Sequence, residues 1–153
     1  MDINQAHASA RKLIGYQPRR IVAGSPGGSI VGIYFSEAGR NDGGQIYLGL
    51  WCTWRLEQQS RVLTCSSDDN AEGGPMLTGL DQLMGAVVRS VDIGTPAFDL
   101  SLGLDPHLRL LAFADSLDED SPCWVISDPQ QHGFSVKPAG RFCPAPKGLA
   151  VAR

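Results

Sequence analysis

From residue 17 onward apolar and polar positions alternate with a period of two, the pattern of strands that bury one face. The segments RRIVAG (19–24), SIVGIYF (29–35), QIYLGLWCTWRL (45–56) and RVLTCS (61–66) read this way, divided by SPGG and EAGRNDGG. After a break at SDDNAEGGP (67–75) the period resumes in AVVRSVDI (86–93), FDLSLGL (98–104), LRLLAF (108–113), CWVIS (123–127) and FSVK (134–137). Two stretches depart from it. Residues Ile3 to Ile14 suit a short helix, with Asp2 or Asn4 as cap and Gly15 where a terminating glycine belongs. MLTGLDQLMG (76–85) suits a second helical turn ending at Gly85. Beyond Pro138 no period is visible, and residues 138–153 are expected to be irregular.

The run from Ile46 to Leu56 reads as one strand, with Ile46, Leu48, Leu50, Cys52, Trp54 and Leu56 on the buried face. A turn centred on Gln58-Gln59 would fold it onto 61–66, setting Trp54 opposite Leu63 and Cys52 opposite Cys65. The cysteines would then be small core residues in contact, or a disulfide or redox pair. Asp105-Pro106-His107-Leu108 carries Asp and Pro in the first two places of a type I turn.

The two halves share an order of elements. IVAG…SIVGIYF…QIYL…WRL…VLT is matched by VVRSVDI…FDLSLGL…LRLLAF…WVI…FSV, with Trp54 against Trp124. The expected fold is mainly β: two similar antiparallel units, about 17–66 and 86–137, packed as one sandwich or barrel-like domain. A helical linker at 67–85 joins them, and a chance likeness of two β-meanders is the alternative. A length of 153 residues suits one domain spanning 1–153 and allows a core without staples. The 18 glycines agree with many tight turns.

The N-terminal segment lacks an apolar run of signal-peptide length, and no stretch has the roughly 18 apolar residues of a membrane span. Four scattered cysteines (Cys52, Cys65, Cys123, Cys143) do not make a disulfide scaffold, so a cytoplasmic protein with reduced thiols is expected. Catalytic signatures are absent from the sequence. Neither GSPGG (24–28) nor EGGP (72–75) is followed by the Lys-Ser/Thr of a phosphate-binding loop, and both suit strand-joining turns. His7, His107 and His132 lie far apart, with no CxxC or HxxxH, so no metal or cofactor is expected. Cys123 sits on a predicted core strand, which argues against a nucleophile served by His132.

The stretch LDQLMGAVVRSVDIGTPAFDLSLGLDPHLRLLAFADSLDEDSPCWVIS (80–127) resembles a repeated pattern in small bacterial proteins: a leucine-rich lead, paired strands, an acidic loop and an aromatic strand. The likeness extends over about residues 19–137. The long EAGRNDGG loop departs from the pattern, as does Leu104, where the hairpin usually carries phenylalanine. Some members of this uncharacterised β-rich family resemble immunity proteins that stand beside polymorphic toxins. The resemblance implies a non-catalytic role in protein–protein contact.

Charge is unevenly spread. Residues 1–61 hold 7 Lys/Arg and 4 Asp/Glu, residues 62–136 hold 2 and 12, and residues 137–153 hold 4 and none. An acidic second unit repels nucleic acid and favours a basic partner, while a solvated surface that aids solubility is the bland alternative. The candidate contact residues are Asp68, Asp69 and Glu72 in one loop and Asp115, Asp118, Glu119 and Asp120 in another. Three functions remain open. They are an immunity protein holding a cognate toxin, a structural or adaptor module with another protein partner, and a small-molecule binder or enzyme using a cavity between the units.

Overall fold

The computed structural model describes residues 1–40, 45–130 and 132–146. Helix α1 (Ile3–Ala10) begins in a capping box: Asp2 Oδ1 accepts from Gln5 N–H, and Gln5 Oε1 accepts from Asp2 N–H, both at 2.9 Å. A 3-10 turn, Arg11–Leu13, extends it to Gly15, whose φ of +87° turns the chain into β1 (Tyr16–Val22). Strands β2 (Val31–Glu37), β3 (Ile46–Leu50), β4 (Thr53–Gln58) and β5 (Arg61–Cys65) complete the first unit. The second repeats the order: α2 (Pro75–Leu80) with a 3-10 turn Asp81–Leu83, Gly85 at φ +79°, then β6 (Val88–Ile93), β7 (Leu100–Leu104), β8 (Leu108–Phe113), β9 (Trp124–Ser127) and β10 (Gly133–Lys137). A final strand, β11 (Arg141–Pro144), follows.

All pairings are antiparallel, in two sheets ordered β1-β2-β3-β9-β10-β11 and β5-β4-β8-β7-β6. The mainly β sandwich expected from the period is therefore present, but neither unit is a sheet of its own. Each unit lays three strands in one sheet and crosses to place two in the other, so the central pairs β3·β9 and β4·β8 join the units. One core lies between the sheets, with Trp54, Trp124, Phe35 and Phe134 fully enclosed. Helix α1 buries Ala6, Ala10 and the following Leu13, with its His7 Nε2 3.2 Å from Ile93 O of β6. Helix α2 buries Met76 and Leu80 and lies on β5, where Gly79 permits the approach: a Cβ there would meet Thr64 Cγ2 at 2.5 Å.

The repeat extends to fine detail. Leu13/Leu83, Gly15/Gly85, Pro26/Pro96 and Trp54/Trp124 each stand 70 positions apart. A bulge interrupts β1 between Pro18 and Arg20 and β6 between Val88 and Ser90. Gly15 N–H donates to Val88 O at 2.9 Å, and reciprocally Gly85 N–H to Pro18 O at 3.4 Å. Trp54 Nε1 donates to Ser29 O at 2.8 Å in the β1–β2 loop, and Trp124 Nε1 to Phe98 O at 2.9 Å in the β6–β7 loop. Shared bulges, reciprocal bonds and equivalent indole contacts at one spacing make chance likeness of two meanders an inadequate account.

Four local expectations are corrected. Residues 46–56 are two strands, because the chain leaves one sheet after Leu50 and enters the other at Thr53. The hairpin register is also shifted: Gln58 pairs with Arg61, a bulge follows between Leu56 and Glu57, and Cys65 lies opposite Arg55. Cys52 therefore does not face Cys65, nor Trp54 Leu63; Trp54 O instead accepts from Ser66 N–H at 2.9 Å. All four cysteines are free. In the turn Asp105-Pro106-His107-Leu108, His107 stands at φ +61°, which the third place of a type I turn does not accommodate. The segment after Pro138 contains β11, anchored by Phe142, which stacks on Phe98 with centroids 4.2 Å apart. Part of the EAGRNDGG loop (41–44) and residues 147–153 of the tail lie outside the described residues.

Candidate functional site

The chain crosses between the sheets twice, and the crossings differ. Between β3 and β4 it needs two residues, Trp51 and Cys52; between β8 and β9 it spends ten, residues 114–123. Trp51 N–H donates to Cys123 O at 2.8 Å, so the two crossings lie side by side at one end of the sandwich. Burial pushes the Cys52 thiol up to about 12, with Cys123 and Asp115 adding to the effect. Burial also raises the Cys123 thiol. Neither has the thiolate character of a nucleophile.

The ten-residue crossing carries Asp115, Asp118, Glu119 and Asp120. Asp115 Oδ1 accepts from Thr53 N–H at 3.1 Å, pinning the loop to the start of β4. Asp118 closes the tip: its Oδ1 accepts from Asp120 N–H at 3.0 Å and its Oδ2 from Ser121 Oγ–H at 2.6 Å. The Ser121 hydroxyl, then the Asp120 amide, hold the Asp118 carboxyl below its ordinary range. Lys137 reaches the loop, but its ammonium donates to backbone carbonyls, Asp120 O at 2.6 Å and Glu119 O at 3.4 Å.

The second acidic loop, between β5 and α2, is tied to the same place. Ser66 Oγ accepts from Trp54 N–H at 3.2 Å, one residue from the amide that binds Asp115. Asp68 Oδ2 accepts from Thr64 Oγ1–H at 2.7 Å and Cys65 N–H at 3.2 Å, and Asp69 Oδ1 from Ala71 N–H at 3.0 Å. Asn70 joins this loop to the β1–β2 loop through Gly28 O at 2.9 Å. The fold thus brings both predicted acidic loops to one end of the sandwich. Among the described residues, none of Asp68, Asp69, Glu72, Asp115, Asp118, Glu119 and Asp120 has an ion-pair partner.

Sequence reasoning passed over two participants. Asp99 belongs to this end as well, its Oδ1 accepting from Ala114 N–H at 2.7 Å. Leu117 stands 98% exposed amid the acidic side chains of the long crossing. A leucine flanked by Ser and Asp with no apolar partner in register was the available signal. An exposed apolar side chain in a loop of carboxylates that lack ion-pair partners has the chemistry of a contact anchor.

No three His, Cys, Asp or Glu side chains gather as a metal-binding group among the described residues, and none of their helices is long and apolar enough to cross a membrane. No family model matches the chain, and no curated protein or solved structure is significantly similar to it.

Proposed function

We propose that this protein is a non-catalytic binding protein that holds a basic protein partner, a cognate bacterial toxin, at its acidic end. The observation that carries the reading is the unequal pair of crossings. The same step in the fold is made with two residues in one unit and ten in the other, so the extra length is not required by the topology. It carries four carboxylates and the exposed Leu117. Uncompensated charge of one sign steers a basic partner and speeds encounter, while an apolar anchor slows dissociation. Residues 80–127 resemble a pattern of small uncharacterised bacterial proteins, some of which resemble immunity proteins, and that supports a toxin as the partner, acting in the cytoplasm.

Co-expression with the product of the adjacent gene tests this. Growth should be rescued by the wild-type chain and lost with Leu117→Asp, a substitution at a side chain that is 98% exposed. Equal rescue by the variant, or no toxicity to rescue, sinks the proposal. A structural or adaptor role with another basic partner would use the same surface, and a reproducible non-toxin partner would favour it.

A further inference from the structure

The first strand of each unit stands at a sheet edge, β1 in one sheet and β6 in the other. On β6 the edge is closed. Helix α1 lies against the strand, where its small Ala6 and Ala10 are fully buried. His7 Nε2 stands 3.2 Å from Ile93 O, and Val91 and Ile93 are only 6% and 3% exposed.

On β1 the equivalent edge is open. Seventy positions on, Met76 and Leu80 of α2 stand in the places of Ala6 and Ala10, and Leu77 in that of His7. The larger side chains space α2 from β1, while Gly79 lets it approach β5 instead. A half-open groove of about 330 Å³ lies between β1 and α2, lined by Ile21, Ala23, Leu77 and Leu80. Ile21 and Ala23, the counterparts of Val91 and Ile93, are half-buried.

The backbone of this edge is available for pairing. Pro18 O faces away from β2 to accept Gly85 N–H at 3.4 Å, as Ile93 O faces away from β7 toward His7. Alternation beyond the bulge turns the N–H and C=O groups of Ile21 and Ala23 the same way, into the groove. Leu77 has no donor to offer there. Among the described residues, neither Ile21 nor Ala23 has a backbone hydrogen bond outside the β1–β2 ladder. An unpaired edge beside an apolar helix face is a template for a further strand.

The charged residues lining the groove are both carboxylates. Glu72 precedes α2 and Asp81 caps its C-terminus, so one stands at each end. Neither has an ion-pair partner among the described residues. We infer that the β1 edge and α2 form a strand-addition groove for an extended segment of a partner protein, apolar at alternate positions and basic at both ends. The segment's backbone pairs with Ile21 and Ala23, its apolar side chains lie against Leu77, and its basic ones meet Glu72 and Asp81. This groove is separate from the long acidic crossing and stands whether or not a toxin docks there.

The test is a titration of the full chain with N-acetylated, amidated Lys-Val-Thr-Val-Lys, followed by ¹H–¹⁵N NMR. Saturable binding should move the amides of Ile21, Ala23 and Leu77, slow hydrogen exchange at Ile21 and Ala23, and leave Leu117 and Asp118 unmoved. Two N-methylated analogues, one at Thr and one at both Val, remove alternate backbone donors. At least one should bind about tenfold more weakly. Glu72→Lys combined with Asp81→Lys, both at exposed positions, should weaken binding about tenfold as well. The inference is overturned by no saturation at millimolar peptide, by undiminished binding of both methylated analogues, by unchanged affinity in the double lysine variant, or by shifts confined to residues 115–120. A free chain that sediments as a dimer, with Ile21 and Ala23 already protected, would put a second copy in the groove and overturn it too.

Discussion

Replacing either core tryptophan by phenylalanine tests whether the two units are energetically equivalent. Trp54 and Trp124 are both fully enclosed, and each indole N–H satisfies a loop carbonyl, Ser29 O at 2.8 Å and Phe98 O at 2.9 Å. Phenylalanine removes the donor and leaves the carbonyl without it, a loss of about 1–3 kcal/mol. It also removes buried ring atoms worth about two methylene groups, near 0.8 kcal/mol each. Each variant should therefore lose about 3–5 kcal/mol, a large share of the roughly 5–15 kcal/mol that holds a domain folded. Because β4 and β9 are interior strands of different sheets joined by one core, the losses should match within about 1 kcal/mol. Urea unfolding followed by far-ultraviolet circular dichroism measures them, with an unchanged slope marking a stability change alone. A loss below about 1 kcal/mol in either variant, or unfolding in two separate steps, would refute the argument that the units form one interlocked core.

Three further outcomes follow from local geometry. Gly79→Ala should cost about 1–3 kcal/mol by urea unfolding, since its Cβ would press on Thr64 Cβ at 2.6 Å and separate α2 from β5; a neutral effect would contradict that packing. With iodoacetamide at pH 8, mass spectrometry should find Cys65 and Cys143 labelled well before the buried Cys52 and Cys123, because burial raises both enclosed thiols and suppresses the reactive thiolate. The Asp118 carboxyl should titrate below the ordinary aspartate range by NMR, and Ser121→Ala should move its midpoint upward. Its folded pKa is depressed, so its contribution to stability is present above the unfolded value and lost as pH falls through the folded one.

The period-two pattern made burial legible in β4, β6, β7 and β8. Strands β3 and β9 are buried on both faces, and so is β2 up to Glu37, where a strand with one buried face was expected. The helix caps at Asp2, Gly15 and Gly85 followed from residue type. The crossing at Trp51-Cys52 was not legible, for a physical reason. The run Ile46, Leu48, Leu50, Cys52, Trp54, Leu56 is buried throughout, because both sheets present the same alternation to a shared core. A change of sheet leaves no mark on such a pattern. Register was missed because the bulge between Leu56 and Glu57 adds a residue that alternation does not report. Strand β11 carries Arg141, a half-buried Phe142 and Pro144 at a sheet edge, so it lacks the apolar run that identifies central strands. The acidic loops were visible as charge, but their meeting at one end depends on the sheet order.

The claim that the acidic end holds a basic toxin is tested most directly by calorimetric titration of the intact protein with the adjacent gene's purified product. Binding should be saturable and weaken as salt rises from about 50 to about 300 mM. The combined reversal Asp118→Lys, Glu119→Lys and Asp120→Lys should lower affinity by about tenfold or more, with the fold unchanged by circular dichroism. No heat of binding, or equal affinity in the reversed variant at low salt, would contradict the account.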